Sequence, residues 1–186
     1  MVANPDRRQA LLDSALEVLG REGGRGLTHR AVDAEAGVPA GTCANYYSRR
    51  ADLMEAMAGR LFDRLAPQPD SLARLDGMEG VDAVVGYMRY VVERLLADTN
   101  LTLAFFELRL AAARDSAVFD RLAPFLREGF EADVAFHESR GLPGGRDAVV
   151  ALHHAVNGLL WDHLTVPLQP DADPAEVVER LTRRLL

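Results

Sequence analysis

Residues 27–53, LTHRAVDAEAGVPAGTCANYYSRRADL, contain two short helical segments in succession. The first runs from Thr28 to Ala36, with Val32 and Ala36 on one face, and Gly37 ends it. The second runs from about Ala40 to Tyr47. Neither is long enough to be stable by itself in water, and the turn Gly37-Val38-Pro39 joins them. This is the layout of a helix-turn-helix, whose second helix enters the major groove of DNA. Val32 and Ala36 are expected to pack the first helix inward, and Val38 to plug the turn. The small residues Ala40 and Gly41 would let the second helix bring its N-terminus close to a phosphate.

Helical periodicity continues on both sides. Upstream, Leu12, Ala15, Leu16 and Leu19 repeat at i, i+3, i+4 and i+7, and Gly23, Gly24 and Gly26 stop that helix. Downstream, Leu53, Met57, Leu61 and Leu65 lie at i+4 spacing until Pro67 and Pro69 break the pattern, so residues 67–77 read as a loop. Val81, Val84, Val85, Met88, Val91, Val92 and Leu95 form the next stripe. Residues 101–113 are apolar nearly all round, which predicts a buried helix. Val118, Leu122, Phe125, Leu126, Phe130 and Val134 follow, ended by the turn at 141–145. Residues 147–165 give a wide-faced helix, and Asp173, Pro174 and Glu176 start a last one. No alternating strand pattern or internal repeat is present. The expected fold is all-α, with about nine helices: a helix-turn-helix domain over 1–49 and a helical domain over 50–186, linked by the helix 50–66.

The chain has a net charge of −7, and all 21 of its basic residues are arginine. The charge is unevenly spread: residues 1–66 carry nine arginines against nine acids, and residues 67–186 carry twelve against nineteen. Between Gly37 and Arg50 there are two arginines and no acid, a locally positive edge on an acidic body. A single cysteine, Cys43, excludes an intrachain disulfide. No run of apolar residues is long enough for a membrane span, and the N-terminus lacks the apolar core of a secretion signal, so a cytoplasmic protein without membrane association is expected. No glycine-rich phosphate loop, HExxH or nucleophile elbow is present, which argues against an enzyme. His137, His153, His154 and His163 lack the compact spacing a metal site needs, because adjacent helical residues point about 100° apart. No metal or cofactor is expected.

The segment 27–53 resembles the DNA-binding region of the tetracycline-repressor (TetR) family. Thr28, Ala36, Gly37, Val38, Gly41, Thr42, Tyr46, Tyr47, Arg50 and Leu53 fall where that family's pattern has a Thr, Ala-Gly-Val, Gly-Thr, an aromatic pair, a basic residue and a Leu. Asp33 stands where the pattern has an alanine, and Cys43 where it has Leu or Ile. Asp33 would weaken DNA binding if it faced a phosphate. The resemblance in sequence covers roughly residues 8–66.

The resemblance implies roles for the matching residues. Thr28 and Arg30 would contact phosphate, with Thr28 also able to cap its helix. Gly41 would admit the backbone close to DNA. Thr42, Asn45 and Tyr46 would face base edges or the groove walls, where asparagine can pair with adenine. Tyr47 would anchor the recognition helix, and Arg50 would clamp phosphate at the fourth helix's N-terminus. Cys43 is either a buried small hydrophobe or a redox sensor.

The resemblance also implies a homodimer and a small-molecule effector of unknown identity, with double-stranded DNA bearing a palindromic operator as the partner. Leu152, Val156, Leu159, Leu160, Val178, Leu181 and Leu185 are the expected dimer face, where Gly158 would permit close helix approach. Tyr87, Met88, Val91, Phe105, Phe106, Arg109, Phe130 and Trp161 are the expected effector pocket. Arg109 there either meets an anionic ligand or pairs with Glu107 or Asp162. The expected function is a DNA-binding transcriptional regulator, a repressor released by its effector. The alternative is a helical protein-interaction adaptor that does not bind DNA.

Overall fold

The computed structural model describes residues 4–73 and 75–186, apart from the side chain of Pro69. Among these the chain is all-helical, without a strand. In order the helices are α1 (Pro5–Gly26), α2 (His29–Glu35), α3 (Thr42–Tyr46), α4 (Arg50–Leu65), α5 (Pro69–Ala73), α6 (Gly80–Ala97), α7 (Thr99–Ala112), α8 (Ser116–Ser139), α9 (Gly145–Leu164) and α10 (Pro174–Leu185). The one-turn α5 lies inside the stretch expected to be loop. Its first residue is Pro69, and proline is well suited to the first position of a helix because its missing N–H would be unpaired there anyway.

Start and stop signals account for most boundaries. Asn4 caps α1, its side chain accepting from the N–H groups of Asp6 and Arg7, with Pro5 in the first turn. Gly23 adopts φ +68° and interrupts the regular helix, a conformation open to glycine because it lacks Cβ. Asp173 caps α10 through the Ala175 N–H at 3.0 Å. The apolar all-round reading of 101–113 is corrected: Leu101, Thr102, Ala104, Phe106 and Leu108 are buried, whereas Arg109 and Leu110 are exposed.

The helices form two compact units. One gathers the chain up to Ala66 together with Thr99–Arg127. Its core joins Leu11, Leu16 and Leu19 of α1, Val32 of α2, Cys43 of α3, Leu53, Met57 and Leu61 of α4, and Leu108 of α7. Ion pairs bind the outer edges of α1 and α4: Arg60 holds Asp13 through two nitrogens at 2.8 and 2.9 Å, and Arg64 holds Glu17 at 3.1 Å. The other unit gathers Pro67–Asp98 and Glu128–Leu186, in which α10 packs on α6 and α9.

Candidate nucleic-acid interface

The short α2 and α3 acquire their geometry from a few fixed points. Thr28 is the N-cap of α2, its Oγ1 accepting from the Ala31 N–H at 3.1 Å. The hydroxyl keeps its own proton to donate outward. Val32 is fully buried, and Cys43 and Tyr47 place one side of α3 in the core. The Tyr47 hydroxyl accepts from Arg8 Nε at 3.2 Å, and the Arg8 guanidinium lies 5.7 Å from the Tyr47 ring centre. Burial pushes the Tyr47 phenol above its usual pKa, and the Arg8 hydrogen bond opposes that rise. Tyr47 is therefore an anchor of α3, as the resemblance implied.

The start of α3 departs from expectation. The helix begins at Thr42 rather than near Ala40. Gly41 precedes it at φ +89°, with none of the described residues within 4 Å of where its Cβ would be; the backbone conformation, not crowding, requires glycine. The first N–H groups of α3 are not bare. Asp33, 3% exposed, accepts from the Gly41 N–H at 2.7 Å and the Cys43 N–H at 2.6 Å. Asp33 thus faces no phosphate, and its carboxylate fills the place the sequence reading reserved for one. Burial, reinforced by the Asp33 charge, pushes the Cys43 thiol up to about 11.

Of the residues expected at base edges, Asn45 is exposed, Tyr46 is half-buried against the core, and Thr42 is half-buried. The Thr42 hydroxyl donates to the Pro39 carbonyl at 2.5 Å, so its methyl group is what remains to present. Arg30 is exposed and has no ion pair among the described residues. Arg50 is engaged otherwise than expected: its guanidinium donates to the Gly24 carbonyl. The anion at the α4 N-terminus is the chain's own Asp52, which accepts from the Arg49 N–H at 3.1 Å and from the Arg49 guanidinium at 2.6 Å. The Arg49 pair draws the Asp52 carboxyl below its usual range.

Arg8 was missed by the sequence reading. It lines an open cleft of about 580 Å³ together with Asn45, Tyr46 and Ser48. Its only sequence signal is the Arg7-Arg8 pair in the first turns of α1.

The tetracycline-repressor-like C-terminal domain matches residues 79–186, more than half of the chain. This chain belongs to the TetR family. A TetR-family member from Streptomyces coelicolor A3 is 28% identical, with a TM-score of 0.73 over 98% of this chain and 99% of its own. The multidrug binding protein EbrR, solved in complex with ethidium, is 28% identical, with a TM-score of 0.72 over 99% of this chain and all of its own. A transcriptional regulator from Rhodococcus sp. Rha1 shares the fold at 19% identity, TM-score 0.76, over 99% of this chain and 96% of its own. No curated protein matches the sequence. Membership supports a DNA-binding transcriptional regulator with an N-terminal helix-turn-helix and a helical C-terminal domain that binds ligands.

In this TetR protein the residues expected in an effector pocket are divided. Phe105, Phe106 and Arg109 belong to the first unit, and Tyr87, Met88, Val91, Phe130 and Trp161 to the second. Arg109 is exposed and lies over the Phe105 ring at 5.4 Å. Trp161 is 44% exposed on α9 rather than enclosed. Tyr87 is buried edge-on against Phe136, with ring centres 5.0 Å apart. Phe130 carries the Arg146 guanidinium on its face at 4.9 Å. A cleft of about 210 Å³ between the end of α9 and α10 is lined by Leu159, Asp162, His163, Leu168 and Val177, and by none of the expected eight.

The expected dimer face is divided as well, by burial. Leu152, Val156, Leu160 and Val178 are buried within their own unit, where α9 and α10 meet each other and α6. Leu159 and Leu181 are half-buried, and Leu185 is exposed. The open side of α9 carries Val150, His154, Gly158 and Trp161 instead, spaced as one stripe. Val166 and Leu168, in the connection to α10, are the most exposed large apolar residues described.

Proposed function

We propose that this protein is a cytoplasmic repressor that binds a palindromic operator as a homodimer and leaves it when a small-molecule effector binds the domain 50–186. The observation that carries the DNA reading is the two-sidedness of α3: Cys43 and, just past the helix end, Tyr47 are buried, while Ala44 and Asn45 are exposed beside a half-exposed Tyr46. A helix held along one side and bare along the other is what insertion into a groove requires. Asn45, Tyr46 and the Thr42 methyl read bases, with Thr28, Arg30 and Arg8 on the flanking phosphates. Gly41 and Arg50 lie at the border of this surface, and Arg50 must exchange the Gly24 carbonyl for a phosphate to take part.

The likeness to a multidrug-binding protein solved with ethidium supports an effector of small-molecule size. Two recognition helices spaced about 34–36 Å apart fit successive major grooves. An effector that favours a different spacing lowers operator affinity by population shift, transmitted through α4. Repeated selection of random duplexes on the purified protein tests the DNA reading. The expected result is a two-fold symmetric site whose affinity falls steeply with salt. Failure to enrich any duplex, or binding without salt dependence, makes the chain a helical adaptor instead.

The dimer is assigned to the open face of α9, with Val150, Gly158 and Trp161 at its centre.

A further inference from the structure

We infer that Asp33 is a positioning residue for DNA recognition: its carboxylate, reaching from α2, sets the angle and depth at which α3 is presented to DNA. The inference rests on the DNA-binding reading and goes beyond it, because Asp33 itself touches no base or phosphate.

With five residues, α3 makes almost no internal hydrogen bonds that could hold its direction. Its contacts with the rest of the head must do so. Cys43 and Tyr47 supply apolar contact, which fixes depth better than rotation, because such contacts are not directional. The Thr42 hydroxyl bond to Pro39 stays inside the turn and does not reach α2.

Asp33 supplies direction. Its backbone carbonyl accepts the Val38 N–H at 3.0 Å, fixing the turn. One carboxylate oxygen takes the Gly41 N–H and the other the Cys43 N–H, so two bonds from a planar group define an orientation as well as a position. Both are charge-assisted, which makes them stronger than neutral hydrogen bonds, and the bond to the Cys43 N–H is buried as well. Alanine, which the family pattern has at this position, offers neither bond. Where that pattern has a small apolar side chain, this chain has a charge-assisted hydrogen-bonded tie from α2 to the start of α3, and α3 depends on that tie.

A different reading makes Asp33 merely one acid in a DNA-binding head. The two predict opposite signs. Removing an acid near a polyanion raises affinity for any duplex. Removing a positioning tie lowers affinity for the cognate duplex alone.

The experiment compares wild type, Asp33→Ala and Asp33→Asn as full-length protein, by amide hydrogen exchange over residues 38–47 and by binding to two probes. The probes are the duplex selected by wild type and poly(dI–dC). Expected for Asp33→Ala is a loss of protection of about 10–100-fold at each of the Gly41 and Cys43 amides, the size of the one hydrogen bond to a charge that each loses. Affinity for the selected duplex should fall about tenfold or more, while affinity for poly(dI–dC) stays level or rises. Asp33→Asn, which keeps one acceptor oxygen, should lose less of both. Unchanged amide protection in Asp33→Ala would overturn the tie. A parallel fall on both probes, or a rise on both, would overturn the positioning role even if protection were lost. If wild type selects no duplex, the DNA-binding reading fails and the positioning role with it, and the exchange data show separately whether the tie exists.

Discussion

Cys43 illustrates how far one residue's chemistry is decided by where the fold puts it. As a lone cysteine in a DNA-binding segment it fitted both a sensor and a core residue. Its side chain is fully buried among the apolar side chains of α1 to α4, and its backbone N–H donates to the Asp33 carboxylate. Burial, with the Asp33 charge adding to it, moves the thiol to about 11 from a usual value near 9. The thiolate, which is the reactive form, is therefore scarce at neutral pH. The same displacement makes the residue a source of pH-dependent stability. The folded pKa lies above the unfolded one, so the folded chain holds the proton more tightly. Its contribution is complete below pH about 9 and is lost as pH rises through about 11. Two pKa steps correspond to roughly 2–3 kcal/mol. Denaturant unfolding of wild type and Cys43→Ala across this window should show wild type losing about that much more stability than the variant. Parallel curves would mean the thiol ionises in the folded head as easily as in the unfolded chain.

Among the elements, the crossing of α1 and α7 is the most exacting contact. A Cβ at Gly20 would stand 2.0 Å from the Asn100 carbonyl oxygen, and 2.7 Å from the carbon behind it. These are backbone atoms, so no side-chain rotation relieves the clash. The Asn100 amide also reaches Glu17, one turn back along α1, at 3.4 Å. Gly20→Ala is accordingly expected to destabilise the first unit by about 2 kcal/mol or more, within the range for overpacked cores, and thermal unfolding should report it as a lowered midpoint. A midpoint equal to wild type would show that the two helices can part without cost. The contact was not legible in the sequence, where Gly20 stood unremarked beside the helix-stopping glycines at 23, 24 and 26. What could be read was periodic. The stripes on α1, α4, α6 and α9 are helices, and the Thr28 and Asp173 caps hold as hydrogen bonds. An apolar stripe records that a face is covered but not by what. That is why Leu152, Val156, Leu160 and Val178, expected at a partner, are buried within one chain. The role of Asp33 was hidden for a related reason, since its partners are backbone N–H groups that leave no mark on residue type.

On the scale of the whole molecule, the acidity outside residues 1–66 and the open face of α9 bear on how two copies would bind DNA. With the surplus acids confined to residues 67–186, the head carries no net charge. A single head then has little long-range attraction to a polyanion, and joining two heads raises affinity through effective concentration without new contacts. The assembly proposed for the protein can be tested at Gly158 and Trp161. Among the described residues, and apart from the backbone of its own helix turn, nothing lies within 4 Å of a Cβ at Gly158, so the chain's own packing gives no reason for glycine at an interior helical position that disfavours it by roughly 1 kcal/mol against alanine. In the proposed dimer a neighbouring helix crossing at that point would supply the reason. Gly158→Ala should then strengthen α9 locally yet weaken dimerisation, two effects of opposite sign from one methyl group. Trp161→Glu, placing a charge in the middle of the same face, should dissociate the dimer more completely. Sedimentation equilibrium at micromolar concentration is expected to give twice the chain mass of 20.3 kDa for wild type and a value approaching the single chain for Trp161→Glu. Operator affinity should fall with the dimer in both variants, while helicity by circular dichroism stays unchanged. If wild type itself sediments as a monomer, or if Trp161→Glu remains fully dimeric, the face assigned to α9 is not where two copies meet.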